Sequence, residues 1–591
     1  MSFVTFLHRI NALDLFPCLV PKSRLLTYFR NCAGAAGPKR NHKPNTERNI
    51  VKMSLNGFEL RTNGRKNMRK PMWSRIGILG ISMGVTCVAL LQPTEAKAQL
   101  DWANFGANSA NTASNPLELL LNPLTVPFLK PKWTFITGGD VSTKPAVVNG
   151  VVYFPDWGGN LWALNAQTGV KIWGNQFSSY GLAAGTVSRS TPAIGNGVLY
   201  IGTQQGAWFL AINAKTGALL WKTELETVDP NAVITTSPTV VNGVVYTGIA
   251  STQETIPGGG GPARGSVVAV NAETGAILWK TYTTVVGYTG AGVWGSSPVV
   301  DPIRGTVYIG TGDNYSVPTD PAYLSCVANS GAPSACQSPQ NYADSILALD
   351  MRTGAIKWGQ RMQTWNQAGV NSGTDFFNLA CTYGLPGCPS PEGPDFDFGS
   401  APQEITYLNA TGLHTIIGAG QKSGIYFALD PDTGKIIWQT QVAPGSSLGG
   451  MEWGSATDGL RIYTAVTNFY GLPTPIGTNA GVFTALDVAT GKILWQVADP
   501  NESVDLGSLS VAGGVVYAPS MAGASTAHNM LALNAATGKT LWSFPAGSSV
   551  IAGATVVNGN VYWGSGYAHL GPFLPEFTAG NTFYAFSIEG K

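Results

Sequence analysis

Apolar and polar positions along this chain follow one arrangement that keeps returning. A small or apolar run meets Asn or Asp, then polar residues and Thr-Gly, then three positions leading to a tryptophan. ALNAQTGVKIW, ending at Trp173, returns as AINAKTGALLW to Trp221, AVNAETGAILW to Trp279, ALDMRTGAIKW to Trp358, ALDPDTGKIIW to Trp438, ALDVATGKILW to Trp495 and ALNAATGKTLW to Trp542. A truncated eighth copy, AFSIEG, closes at Gly590.

Each copy predicts a β-hairpin. The β-rich run stops at Asn or Asp, whose side chain caps a four-residue turn, and Gly supplies positive φ before the next strand. Before most copies comes another strand signal after its own tight turn, as in VVNGVVYF, IGNGVLYI and VVNGNVYW. One repeat is therefore several antiparallel strands that cannot bury both faces alone, so neighbours stack. The expectation is an all-β chain: an eight-bladed β-propeller with four-stranded antiparallel blades. The strand missing from the last blade is expected from Lys132-Trp133-Thr134-Phe135, so that N- and C-terminal strands pair and close the ring. An open solenoid is the rival, and it requires capping repeats that the sequence does not show.

The Thr-Gly glycines, Gly169, Gly217, Gly275, Gly354, Gly434, Gly491 and Gly538, are separated by 48, 58, 79, 80, 57 and 47 residues. The excess falls in loops at 313–345 and 362–400, which are expected to cover a binding face.

Charge changes the picture once the chain is divided. The formal +2 hides 16 Lys/Arg against 4 Asp/Glu in the first 98 residues, leaving 19 against 29 afterwards, or −10. Nucleic acid loses its electrostatic footprint. Residues 68–98 read as a secretory signal, with Met68, basic Arg69, Lys70 and Arg75, an apolar run from Ile76 to Leu91, and Ala96-Lys97-Ala98 before Gln99. Residues 1–67 are then an upstream extension from a start codon not in use; the alternative is a cytoplasmic extension ahead of a membrane anchor. No other segment is apolar for long enough to span a bilayer. The expected location is the periplasm. Residues 99–130 form an N-terminal arm, and 131–591 form the propeller.

Cys326, Cys336, Cys381 and Cys388 follow Gln99. They fit two disulfides, most simply Cys326 with Cys336 and Cys381 with Cys388, among three pairings. Zinc competes weakly, because the intervening loops lack His and Cys-x-x-Cys spacing. His414, His528 and His569 are dispersed and support neither a His-based metal centre nor a serine triad.

The repeat A-x-[ND]-x-x-T-G-x-x-x-W resembles that of the quinoprotein alcohol dehydrogenases, propellers that hold pyrroloquinoline quinone and Ca²⁺ on the central axis. SRSTPA, GAGVWGSSPVVD, GTGDNY, GPDFDFGSAP, GAGQKSG and GGMEWGSATDG resemble the polyvinyl alcohol dehydrogenase branch. A non-catalytic outer-membrane assembly propeller shares the repeat, so a scaffold binding protein or polysaccharide is the alternative.

The resemblance implies site residues position by position. Glu254 stands at a Ca²⁺-binding glutamate, and Asp313 stands where an Asn ligand is usual, its carboxylate being an equally hard donor. Arg189 and Thr235 match contacts to a quinone carboxylate. Trp294 corresponds to the indole stacked under the cofactor, and Trp453 is placed to cover its edge. Asp395 aligns with the proposed base, with Asp397 as neighbouring candidate, and Lys422 matches the cation near the quinone oxygens.

Two departures stand out. There is no Cys-Cys pair, its place being taken by IPGGGGPA, expected to be flexible. There is no Cys-x-x-Cys-His for attached haem, so an alcohol substrate's electrons are expected to leave to a separate acceptor such as a soluble cytochrome c.

Overall fold

The Thr-Gly turns form as their residues dictate. In the computed structural model, which describes residues 101–590 apart from 296, 331–332, 363–375, 390–392 and 570–575, Asn165 Oδ1 accepts the N–H groups of Gln167 and Thr168 at 3.0 Å each. Gly169 then turns the chain with φ 71°. The signal-type segment 68–98 and the extension 1–67 lie outside the described residues.

Eight antiparallel blades follow: blade 1 (146–176), blade 2 (193–224), blade 3 (239–282), blade 4 (299–361), blade 5 (403–441), blade 6 (456–498), blade 7 (510–544) and blade 8 (555–587). Blade 8 takes its outermost strand from Lys130–Ile136, antiparallel to Thr582–Ser587, so both ends of the propeller share one blade. Two blades depart from four strands. Ala232–Val233 adds to blade 3, and Ser114–Asn115 pairs in parallel with blade 7.

The repeated tryptophan joins each blade to the next. Trp133 Nε1 donates to Ala166 O at 3.0 Å and Trp173 Nε1 to Ala214 O at 2.9 Å. The series runs round the ring until Trp542 donates to Leu129 O at 3.0 Å. Several blades send a tyrosine hydroxyl to the same carbonyl, as Tyr200 and Trp221 both do at Ala272 O. The Thr-Gly glycine lies under the preceding blade's indole: a Cβ on Gly434 would sit 2.5 Å from Trp358 Cε3. One residue type thus answers both the turn and the docking.

The first strands of successive blades touch and line the axis. Across one end of them runs the arm. Trp102 bridges Val147 of blade 1, and Ala103 O accepts from Ile194 of blade 2. Ser109, Ala110, Thr112 and Ala113 then offer carbonyls to Val300, Glu404, Thr457 and Val511 of blades 4 to 7. Asn115 Nδ2 donates to Val556 O of blade 8 at 3.0 Å. A 14-residue polar segment, 102–115, therefore bonds seven of the eight blades.

Among the described residues the mid-chain loops carry one α-helix, Pro321–Ser330, which hydrophobic alternation did not announce. They are stapled by Cys326–Cys336 and Cys381–Cys388, the simplest of the pairings open to the sequence. No helix among the described residues is long and apolar enough to cross a membrane.

Candidate active site

The nine residues singled out from sequence meet in one place. They come from blades 3 to 5 and from the segments that join blades 1 to 6, which side chains can reach together only near the axis. Arg189, Thr235, Glu254 and Trp294 line a single cavity, together with Trp157, Gln204, Ser251, Tyr315, Tyr567 and His569. Beside it, ligand atoms of Asp313, Asp395 and Asp397 all lie within 4.8 Å of one another, each residue buried.

Asp397 organises this corner. Its Oδ1 accepts the Asp313 N–H at 2.8 Å and its Oδ2 accepts Trp294 Nε1–H at 2.6 Å. That pair of bonds fixes the indole plane against the acid cluster. Lys422 donates to Asp395 Oδ1 at 2.6 Å, lies 3.5 Å from Asp397 Oδ2, and stands 5.1 Å from the centre of the Trp294 ring. Thr235 Oγ1 donates to Trp294 O at 2.8 Å. The Arg189 guanidinium rests 4.1 Å over the Trp453 ring, whose plane meets Trp294 at 75° with 5.4 Å between centroids. The two indoles therefore make a floor and an edge, not a parallel-walled slot.

So many acids in a water-poor site resist ionising together. Burial, then Asp397, pushes the Glu254 carboxyl up to about 7. Asp313 is raised well above the usual carboxylate range by burial and by Asp397, Asp395 and Glu254. Burial also raises Asp395, against the pull of Lys422. For Lys422 burial acts downward, yet Asp395 and Asp397 hold its ammonium above the ordinary value. Among the described residues neither Asp313 oxygen has a hydrogen-bond donor. Leaving both buried without one is costly for the ionised carboxylate; a bound cation or a proton on the carboxyl relieves that cost.

Sequence reading passed over several neighbours. Glu452, next to Trp453, is raised to about 6 by burial while Lys422 and Arg189 pull it down. Tyr315 closes the GTGDNY motif and lines the cavity with Trp157, Tyr567 and His569. Glu452 and Tyr315 stood inside quoted motifs; Trp157 and His569 carried no spacing signal.

The glycine run is held, not flexible. All four glycines of Gly258 to Gly261 have positive φ, Gln253 Nε2 donates to Gly259 O at 2.9 Å, and Gly259 packs so closely on Tyr315 O that no Cβ fits. Next to it, Asn378 Nδ2 donates to Ile256 O at 3.0 Å, so the loop carrying Cys381–Cys388 backs the Glu254 segment.

A family model described as outer membrane protein assembly factor BamB, labelled PQQ_2, matches residues 130–257, 182–323 and 478–589, more than half of the chain. A polyvinylalcohol dehydrogenase of Pseudomonas sp is 28% identical over 567 residues, covering 86% of this chain and 80% of the relative. That of Sphingopyxis sp. (strain 113P3) is 29% identical over 560 residues, covering 85% and 79%. The chain belongs to the quinoprotein alcohol dehydrogenase family. It is an oxidoreductase by that membership. The quinohemoprotein alcohol dehydrogenase structure from Comamonas testosteroni shares the fold, with TM-score 0.63, 20% identity, and coverage of 86% of this quinoprotein and 84% of that chain.

Proposed function

We propose that this quinoprotein oxidises a secondary alcohol or polyol, of the polyvinyl alcohol type, to the carbonyl, using pyrroloquinoline quinone and Ca²⁺. One observation carries the reading: the donorless carboxylate of Asp313, buried against Asp395 and Asp397 beside an indole floor. A hard cation suits such oxygen donors. Glu254 and Asp313 would hold the cation, Arg189 and Thr235 a quinone carboxylate, Trp294 the flat face, Trp453 its edge, and Lys422 the quinone oxygens. When bound, the quinone accepts hydride and the cation polarises its carbonyl.

The chain's own residues do the rest. Asp395 takes the alcohol proton at Oδ2, while Lys422 at 2.6 Å holds Oδ1 and keeps the carboxylate aimed. Asp397 is the positioning residue in this scheme: its two bonds set Trp294 and the Asp313 backbone. Tyr315 and Tyr567 line the cavity. Export to the periplasm is supported by the signal-type segment 68–98 and the two disulfides, and electron delivery to a separate acceptor such as a soluble cytochrome c by the lack of Cys-x-x-Cys-His in these residues.

The test is reconstitution of the purified protein with quinone and Ca²⁺, followed by absorbance and by dye reduction with secondary alcohols. Bound quinone and alcohol-dependent reduction are expected. No bound quinone at saturation rejects the reading in favour of a scaffold propeller, to which the acid cluster offers nothing.

A further inference from the structure

The cavity has a polar residue that the proposed chemistry leaves unused. His569 of blade 8 and Trp157 of blade 1 line the same space as Arg189 and Thr235. The imidazole lies flat on the indole, 3.5 Å between centroids at 20°, and Tyr567 meets it edge-on at 5.5 Å and 69°. Two aromatic neighbours leave the ring little rotational freedom.

Behind it is a carboxylate built in place. Asp140 is buried, and its oxygens accept Gly580 N–H at 2.8 Å and Ala568 N–H at 2.9 Å. Gly566 approaches so closely that a Cβ there would meet Asp140 Oδ1 at 2.5 Å. His569 Nε2 lies 3.2 Å from Asp140 Oδ2, near enough for ion pairing although off the angle of a hydrogen bond. With Nε2–H turned to Asp140, Nδ1 is the ring nitrogen that faces a ligand, and it donates to a carboxylate when the ring carries hydrogen on both nitrogens. A surface histidine would need neither a stacked indole nor a carboxylate fixed by two backbone amides.

We propose that His569, positioned by Asp140 and Trp157, is a second anion-binding residue of the cavity, taking a carboxylate of the bound cofactor. This rests on the quinone reading above. The cofactor class is a planar quinone with several carboxylates, and Arg189 and His569 line one cavity from which both can reach such groups. A charge-assisted hydrogen bond is the interaction to be read.

The experiment titrates pyrroloquinoline quinone and its trimethyl ester into the full protein with Ca²⁺, following indole fluorescence and quinone absorbance, for the unsubstituted protein, His569→Ala, His569→Gln and Asp140→Asn. His569→Ala is expected to weaken quinone binding about 10- to 100-fold, with His569→Gln intermediate, and to leave the ester's weaker binding unchanged. Thermal melts identify any variant that fails to fold, and His569→Gln preserves the ring's packing volume best. Equal quinone affinity in variant and unsubstituted protein, or an equal loss for the ester, overturns the assignment. If the unsubstituted protein binds no quinone, the cofactor reading falls and takes this inference with it.

Discussion

Lys422 and Asp395 meet at 2.6 Å, against a cluster that also holds the buried carboxyls of Asp313 and Asp397. The ammonium lies directly against Asp395 and Asp397, so the two residues Lys422 and Asp395 answer different tests. Asp395→Asn keeps shape and hydrogen bonding but removes the proton acceptor; turnover is expected to fall about 10²- to 10⁴-fold with quinone retained. Lys422→Met leaves buried carboxylates facing one another, and a loss of about 3–5 kcal/mol in urea unfolding is expected. A Lys422→Met protein as stable as the parent would show that the acids are already neutral.

The acids themselves predict a pH signature. Burial and Asp397 raise Glu254 from an ordinary 4.5 to about 7. A carboxyl that holds its proton more tightly when folded leaves stability intact below pH 4.5 and withdraws it as pH climbs through 7. The cation-free protein should therefore lose melting temperature between pH 5 and 8. Glu254→Gln should flatten that slope, and Ca²⁺ should restore stability more at pH 8 than at pH 5, since it favours the ionised acids. Melting scans across this range, with chelator and then with Ca²⁺, decide it; a flat profile for the parent contradicts the buried cluster.

Docking of the tryptophans can be separated from the turn they lie on. Gly434 has φ 70° and Trp358 Cε3 2.5 Å from where its Cβ would be, whereas Gly243 has φ 77° and open space. Both alanine substitutions incur the left-handed backbone cost of roughly 1–2 kcal/mol. Only Gly434→Ala must also push an indole off the neighbouring blade. Chemical denaturation should show Gly434→Ala as clearly the more damaging; equal losses would mean that the ring tolerates the displacement.

The ring was legible because the repeat states its own joints: Asn165 caps, Gly169 turns, and Trp133 or Trp173 docks, all within a local window. The acid cluster was legible because Asp313, Asp395 and Lys422 sit in motifs outside that register. His569 was not. It acquires meaning only beside Trp157 and Asp140, which lie at the other end of the sequence and meet it through ring closure. The path of 102–115 was equally hidden, because its bonds use main-chain carbonyls that any residue supplies. The glycine run misled for a related reason: four adjacent glycines suggest freedom, yet here Tyr315 leaves no room for a side chain.

The Cys381–Cys388 bridge closes a loop three residues after Asn378, which supports Ile256, two residues beyond Glu254. Chain-entropy arguments put such a short loop at about 2–3 kcal/mol. Its loss should be felt locally, because the blades are held by strand ladders and tryptophans that the bridge does not touch. Cys381→Ser with Cys388→Ser is expected to weaken Ca²⁺-dependent quinone retention while the main melting transition moves little. A collapse of that transition with retention unchanged would place the bridge's role in the fold and not in the site.

Trp102 tests what the arm contributes. Its side chain is 1% exposed, packs in the core shared by blades 1, 6, 7 and 8, and lies 5.5 Å from Lys144 Nζ, which also stands 4.7 Å from the Phe105 ring. Burial lowers Lys144 to about 7, and Leu509 O at 2.9 Å is its hydrogen-bond acceptor. Trp102→Ala therefore removes both a large core side chain and one of the two aromatic faces beside a buried ammonium. A destabilisation of about 3–5 kcal/mol is expected, and it should shrink as pH rises past 7 and Lys144 sheds its charge. Urea unfolding of Trp102→Ala at pH 6.5 and pH 9 measures both parts. A loss that is the same at both pH values would leave the packing claim standing and remove the lysine from it, while no loss at either would show that the blades hold their ring without the arm.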